Sequence, residues 1–160
     1  MQAKRFRRRS GFTLMELIVV IAIIGLLAGM LMTAFSKART GAKKTRARAD
    51  LDQIKAAWEN YVQEYRTFPA GISEMGEEAI AILSGANQDE NPEKIIFMDF
   101  RQDEAGSFRD PWGQVYHVAL DVDGDDLVSV NGQDVRVIVA AWSDGPDGQP
   151  QSGDELTSWK

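Results

Sequence analysis

The sequence has no cysteine, so no disulfide can stabilise the fold and no thiol is available as a nucleophile or metal ligand. It has a single histidine, His117, and it lacks both a glycine-rich phosphate-binding loop and a Ser/His/Asp constellation. His117 falls within a strand pattern, where we expect a packed or exposed strand residue. The sequence therefore predicts that the protein is not an enzyme.

Proline is absent before Pro69, so no proline interrupts a helix in the first part of the chain. Residues 12–35 are apolar except for Thr13, Glu16 and Thr33. From Leu51 to Tyr65 apolar residues recur at steps of three and four, which is one helical face. We expect one long helix from about residue 13 to residue 65, apolar all round at first and amphipathic later.

Charge is distributed unevenly. Residues 1–11 contain five basic residues and no acid, whereas the remainder contains 13 basic and 24 acidic residues, a formal net charge of −11. An acidic body argues against general nucleic-acid binding, so we expect no nucleic-acid partner. A basic cluster over residues 37–48 is compatible with lipid headgroups or DNA, but a solvated helix or one facing acidic neighbours is favoured.

Three interpretations compete for residues 1–35. A secretory signal peptide has a shorter apolar segment, followed by a small-residue cleavage site that is missing here. A plain transmembrane anchor fits the length, with the arginines on the cytoplasmic side. Neither interpretation explains Glu16, because a carboxylate in an apolar span costs roughly 2.5–3.5 kcal/mol at the bilayer centre. One structural alternative is that Glu16 complements a helix N-terminus.

The third interpretation rests on a motif around Glu16. The run resembles the signal of type IV prepilins and pseudopilins, and it reads Arg8-Arg9-Ser10-Gly11-Phe12-Thr13-Leu14-Met15-Glu16. The resemblance implies that a prepilin peptidase cuts between Gly11 and Phe12 and that the new N-terminus is methylated. It also implies an assembly role for Glu16. A buried carboxylate needs a positive partner, so we expect Glu16 to be satisfied only by the Phe12 amine of a neighbouring copy.

The second half of the sequence predicts a small antiparallel sheet. Residues 115–122, 127–130 and 135–142 have strand patterns, and Asn131-Gly132 is a hairpin signal. We expect a three-stranded meander packed on the long helix, an α+β, pilin-like fold. Between the long helix and the first of these strands, residues 73–83 are predicted to form a short helix capped by Ser73. Residues 84–94 are predicted to form a loop, and residues 95–98 a strand or a buried connector.

Two acidic segments are candidate cation sites. The Asp110-Pro111-Trp112-Gly113 turn and the glycine-rich tail resemble the major pseudopilin of type II secretion, which implies a calcium-binding loop. The implied ligands are Asp144 through its carbonyl, and Asp147, Asp154 and Glu155, the last standing where the family usually has aspartate. A solvated acidic turn is the alternative. The second segment, residues 121–126, does not match an EF-hand because Gly124 is its fourth residue, so we expect a hairpin turn.

The resemblance also implies the organisation of the chain. Residues 1–11 would be a cleaved leader, 12–35 the transmembrane half of the helix, 36–68 its soluble half, and 69–160 the globular head. The implied function is a structural subunit of a type II secretion pseudopilus, anchored once in the bacterial inner membrane with its N-terminus cytoplasmic and its head periplasmic. Implied partners are the prepilin peptidase, further copies, other pseudopilins and the inner-membrane secretion platform. A type IV pilin and a non-polymerising, membrane-anchored calcium-binding module are the alternatives.

Overall fold

A computed structural model describes residues 12–101 and 106–159 of the chain. The predicted leader, residues 1–11, lies outside the described residues. The chain divides into two compact units, the first ending at Thr40 and the second beginning at Gly41.

Helix α1 (Leu14–Tyr65) is continuous over 52 residues, as the absence of proline predicts. In the first unit, every side chain that the structure describes from residue 12 to residue 40 is exposed. The exposed residues include large apolar side chains such as Phe12, Ile23 and Leu26. This part of the helix therefore contributes no core of its own.

In the second unit, one face of α1 forms the centre of the hydrophobic core. Ala47, Leu51, Ile54, Trp58 and Tyr61 follow one another at steps of three and four and are almost fully buried. The helix ends at Tyr65 because Arg66 adopts a left-handed conformation, with φ 63°, while its N–H still donates to the carbonyl of Val62 at 2.9 Å. The predicted amphipathic face and helix end are both confirmed.

Five strands complete the second unit: β1 (His117–Leu120), β2 (Val128–Val130), β3 (Gln133–Val135), β4 (Val139–Ser143) and β5 (Leu156–Thr157). Strands β1, β4 and β5 form an antiparallel sheet in that order, with His117 opposite Trp142 and Ser143 opposite Leu156. Strands β2 and β3 form a separate hairpin. The α+β class and the small antiparallel sheet beside a long helix are therefore as predicted.

The predicted strand order is wrong. Residues 127–130 do not lie between the other two predicted strands, since β1 pairs directly with β4 and β2 pairs with β3. The reason is local: Asn131 and Gly132 both have positive φ, 52° and 79°, which gives a tight turn that pairs the two short strands flanking it. The hairpin then packs its Val128 and Val130 with Ala140 in a second small core.

Helix α2 (Glu77–Leu83) is shorter than predicted and is not capped by Ser73, because Gly76 precedes it without a side-chain cap. Residues 73–76 are extended instead. The N–H of Met75 donates to the carbonyl of Tyr116 at 2.8 Å, and the N–H of Val118 donates to the carbonyl of Ser73 at 3.0 Å. These long-range bonds to the sheet outcompete a local helix. Residues 95–98 form a connector, with Met98 buried and Ile96 exposed.

Candidate functional sites

Glu16 closes the N-terminus of α1 within a single chain. Its carboxylate accepts hydrogen bonds from the backbone N–H and the hydroxyl of Thr13, both at 2.9 Å, while the N–H of Glu16 donates to the Thr13 hydroxyl at 3.2 Å. This reciprocal arrangement is a capping box. A single chain therefore supplies Glu16 with hydrogen bonds, and its pairing with the Phe12 amine of a neighbouring copy stays a prediction. Thr13 is neutral, however, and does not balance the charge.

The segment that follows Glu16 has the size and composition of a membrane span. Among the described residues, α1 is the one helix long and apolar enough to cross a bilayer, judged by length and composition alone. Phe12, the predicted new N-terminus, is 80% exposed. Gly11, on the other side of the predicted cleavage point, lies outside the described residues.

The C-terminal acidic loop joins β4 to β5. Because Ser143 pairs with Leu156, the antiparallel register places Asp144 and Glu155 at the next opposed positions. Each carries one carboxylate oxygen, Asp144 Oδ1 and Glu155 Oε1, that is buried without a hydrogen-bond partner in the described part of the chain. The other oxygens are engaged: Asp144 Oδ2 lies 3.0 Å from Nε2 of His117, and Glu155 Oε2 accepts from the N–H of Gly153 at 3.0 Å.

Asp147 and Asp154 meet in the same loop through the hydroxyl of Ser152. The Ser152 Oγ lies 2.6 Å from Asp154 Oδ1 and 3.2 Å from Asp147 Oδ1. Gly145, with φ 81°, closes the loop, since a Cβ there would lie 2.6 Å from the carbonyl oxygen of Asp154. The structure thus brings all four predicted ligand residues into one short loop.

The loop offers part of what a hard cation requires. Ca²⁺ binds six to eight oxygen ligands, and an unpartnered buried carboxylate oxygen is costly without a cation or a donor. Asp144 and Glu155 supply two such oxygens, and Asp147 and Asp154 add further carboxylates. The residues present therefore fit a divalent cation, although their carboxylates are not drawn into one tight cluster.

The other acidic segment is organised differently. Carboxylate oxygens of Asp121, Asp123 and Asp125 all lie within 4.8 Å of one another. Asp121 is buried, and it accepts the backbone N–H groups of Gly124, Asp125 and Asp126 at 2.7, 3.2 and 2.9 Å. This segment is a turn stabilised from inside by its own aspartate. It is not the predicted hairpin turn, because β1 and β2 form no ladder with each other.

The electrostatics of this turn follow from the same contacts. Burial raises the pKa of Asp121, but hydrogen bonds from the backbone N–H groups outweigh burial and leave that pKa below its usual value. The pKa of Asp123 is raised by its hydrogen bond with the Asp121 side chain and by the charge of Asp125. The turn therefore concentrates negative charge at its exposed side.

Sequence reasoning missed a buried polar network beneath the C-terminal loop. The Ser143 hydroxyl donates to Asp110 Oδ2 at 2.6 Å and accepts the N–H of Gly145 at 3.1 Å. Asp110 Oδ1 accepts the N–H groups of Trp112 and Gln114, both at 2.9 Å. The Asp-Pro-x-Gly turn is a recognisable local signal, but its link to Ser143 spans 33 residues, and no local pattern predicts that contact.

The chain is similar to several known proteins. The family model for the prokaryotic N-terminal methylation motif matches residues 6–32. The type II secretion system core protein G of Klebsiella pneumoniae is 29% identical over 157 residues, which covers 96% of each chain. The core protein G of Pseudomonas aeruginosa is 32% identical over 111 residues, covering 69% of this chain and 72% of that protein.

One solved structure is also similar. The crystal structure of the major pseudopilin from the type 2 secretion system of enterohaemorrhagic Escherichia coli is 23% identical to this chain. The match covers 78% of this chain and 92% of that one, with a TM-score of 0.43.

Proposed function

The chain belongs to the family of the type II secretion system core protein G, and from that premise we propose that it is cut before Phe12, retained in the inner membrane by α1 and polymerised into a periplasmic filament. It is a structural subunit of a pseudopilus and not an enzyme. The proposed partners are the prepilin peptidase, further copies, other pseudopilins and the inner-membrane secretion platform. The proposed topology places the N-terminus in the cytoplasm and the head in the periplasm.

The observation that carries this proposal is the exposed apolar surface of α1. Over residues 12–35 every side chain that the structure describes is exposed, and almost all are apolar. Such a surface is unstable in water and requires lipid or other apolar helices around it. The match to the methylation motif covers residues 6–32 and so includes the start of this surface, and a cut before Phe12 would leave the apolar segment on the mature chain.

The proposal is tested by isolating sheared filaments from cells that express the chain with its secretion machinery. The filaments should contain this chain, and intact-mass measurement should give a subunit beginning at N-methylated Phe12. A mature subunit that still carries residues 1–11, or a chain that stays in the membrane and never enters filaments, would contradict the proposal.

We further propose that the loop between β4 and β5 binds Ca²⁺. The support is the pair of buried, unpartnered oxygens on Asp144 and Glu155, together with the carboxylates of Asp147 and Asp154 nearby. When bound, the cation would neutralise charges that otherwise repel one another in a glycine-rich segment with little apolar surface. Titration calorimetry with Ca²⁺ after chelator treatment tests this, and the absence of any binding heat would overturn it.

A further inference from the structure

The cations of this chain are concentrated in one stretch of α1. Residues 37–48 contain six basic residues and no acid, and the nearest acidic residues along the chain are Glu16 and Asp50. Residues 66–160, by contrast, contain 6 basic and 19 acidic residues, a formal net charge of −13. One molecule thus carries a strongly basic segment and a strongly acidic head, and two copies are complementary in charge.

Two of these cations are already engaged within the second unit. Arg46 Nε lies 3.8 Å from Asp50 Oδ2, and Lys43 Nζ lies 5.8 Å from the centre of the Trp112 ring. The side chains of Lys44, which is half-buried, and Arg48, which is exposed, have no ion pair or hydrogen bond among the described residues. They are four residues apart and share one face of the helix, so they present two positive charges together. Gly41, one turn earlier on this face, has nothing outside the helix's own backbone within 4 Å of the position that a Cβ would take.

The acidic turn at residues 121–126 is the most concentrated complement to this face. Asp123, Asp125 and Asp126 are exposed, while Asp121 holds the turn from inside. Val122 and Leu127 beside them are 50% and 36% exposed. The pKa of Asp123 is raised first by its hydrogen bond with the Asp121 side chain and then by the negative charge of Asp125. An approaching cation would offset the second of these effects.

We propose that the face of α1 bearing Lys44 and Arg48 docks on the acidic turn, residues 121–126, of a second copy of this chain. This inference rests on the proposed function, because polymerisation is what brings copies side by side. A lipid surface or nucleic acid is a poorer occupant, since the acidic head would be repelled by any anionic surface that the basic face approached.

Because the chain has no cysteine, single cysteines can report this contact without background. Cells would express one chain with Lys44→Cys and another with Asp125→Cys, together with the secretion machinery, followed by a short thiol cross-linker. We expect a cross-linked dimer only when both chains are present, which shows that the contact joins two copies. The matched control, Glu64→Cys with Asp134→Cys, uses exposed positions outside both surfaces and should give no dimer.

A chain with Ile24→Cys, in the exposed apolar part of α1, tests the proposed polymerisation separately from the proposed docking contact. Dimers through Cys at position 24 without dimers between positions 44 and 125 would show assembly and overturn the docking inference alone. No dimers at either place would overturn the proposed polymerisation itself.

Charge reversal gives a second, independent readout. Lys44→Glu with Arg48→Glu should reduce the yield of sheared filaments about tenfold, which corresponds to about 1.4 kcal/mol, and Asp123→Lys with Asp125→Lys should do the same. Asp121 is left unchanged, so the turn keeps the three backbone hydrogen bonds that Asp121 accepts, although Asp125→Lys removes the bond from the N–H of Leu127. Combining all four substitutions in one chain should restore most of the yield. A combined chain no better than either reversed chain would overturn the pairing.

Discussion

The two parts of helix α1 have the same secondary structure and opposite surroundings. Before Thr40 every described side chain is exposed, whereas from Ala47 to Tyr61 one face is buried in the hydrophobic core of the head. Ile23 is 53% exposed and Ile54 is fully buried, although both are isoleucines on one continuous helix. The first part therefore adds nothing to the core of the head, whereas the second part forms its centre.

The largest effect expected concerns the proposed cleavage between Gly11 and Phe12, just before the first part of the helix. Replacing Gly11 with leucine should block cleavage, because the resemblance places a small residue at the cut, whereas Gly11→Ala should only slow it. Intact-mass measurement of membrane extracts gives the ratio of uncut to mature chain. Complete cleavage of the Gly11→Leu chain would show that the cut lies elsewhere.

The contrast between the two parts of α1 also predicts that Glu16, in the first part, serves assembly and not folding. Glu16→Ala should leave the head folded and the chain in the membrane, while the yield of sheared filaments falls sharply. The capping box supplies a control: Thr13→Ala removes the hydroxyl from Glu16 but leaves its charge, so its filaments should be reduced less. A wild-type filament yield from the Glu16→Ala chain would contradict the prediction that the charge of Glu16 serves assembly.

Matched isoleucines test the comparison directly. Ile54→Ala should destabilise the head by about 2–5 kcal/mol, because it removes a fully buried side chain and leaves a cavity. Ile23→Ala should leave the stability of the head unchanged. All four tryptophans lie between Trp58 and Trp159, so tryptophan fluorescence reports unfolding of the head even in the full chain in detergent. Equal melting of the two variants would contradict the division into two units.

The smallest effect expected is that of calcium. A ligand that binds only the folded state stabilises it by about 2.7 kcal/mol at a hundredfold excess over Kd, so the head should melt at a higher temperature with Ca²⁺ than with chelator. Asp147→Ala should remove most of that difference. Asp125→Ala is the matched control in the other acidic segment and should retain it. Identical melting temperatures with Ca²⁺ and with chelator would favour the alternative, in which the loop is a solvated turn that binds no cation.

The two acidic segments differ in how their carboxylates are satisfied. In the turn at residues 121–126, Asp121 accepts three backbone N–H groups of its own turn. In the loop between β4 and β5, Asp144 and Glu155 each keep one buried oxygen without a partner. In sequence both are short acidic segments with glycine, so composition alone does not separate them. Backbone geometry does, because it determines which N–H groups point at which oxygens.

The sequence alone determined the features that depend on near neighbours in the chain. Helix α1 and its buried face follow from periodicity and the absence of proline, and the tight turn at Asn131 and Gly132 follows from residues that tolerate positive φ. The capping box at Thr13 and Glu16 is also local, with partners three residues apart.

Tertiary structure alone decided which distant segments meet. It paired β1 with β4, used residues 73–76 as extended chain against the sheet, and joined Asp110 to Ser143 and His117 to Asp144. These contacts join residues that are 19 to 45 positions apart, from Leu120 with Val139 to Ser73 with Val118. Each contact depends both on burial of the core and on hydrogen bonding of the backbone groups. Local propensity contains no information about which distant segments pack together. For this reason the strand order and the polar network were not predicted from the sequence.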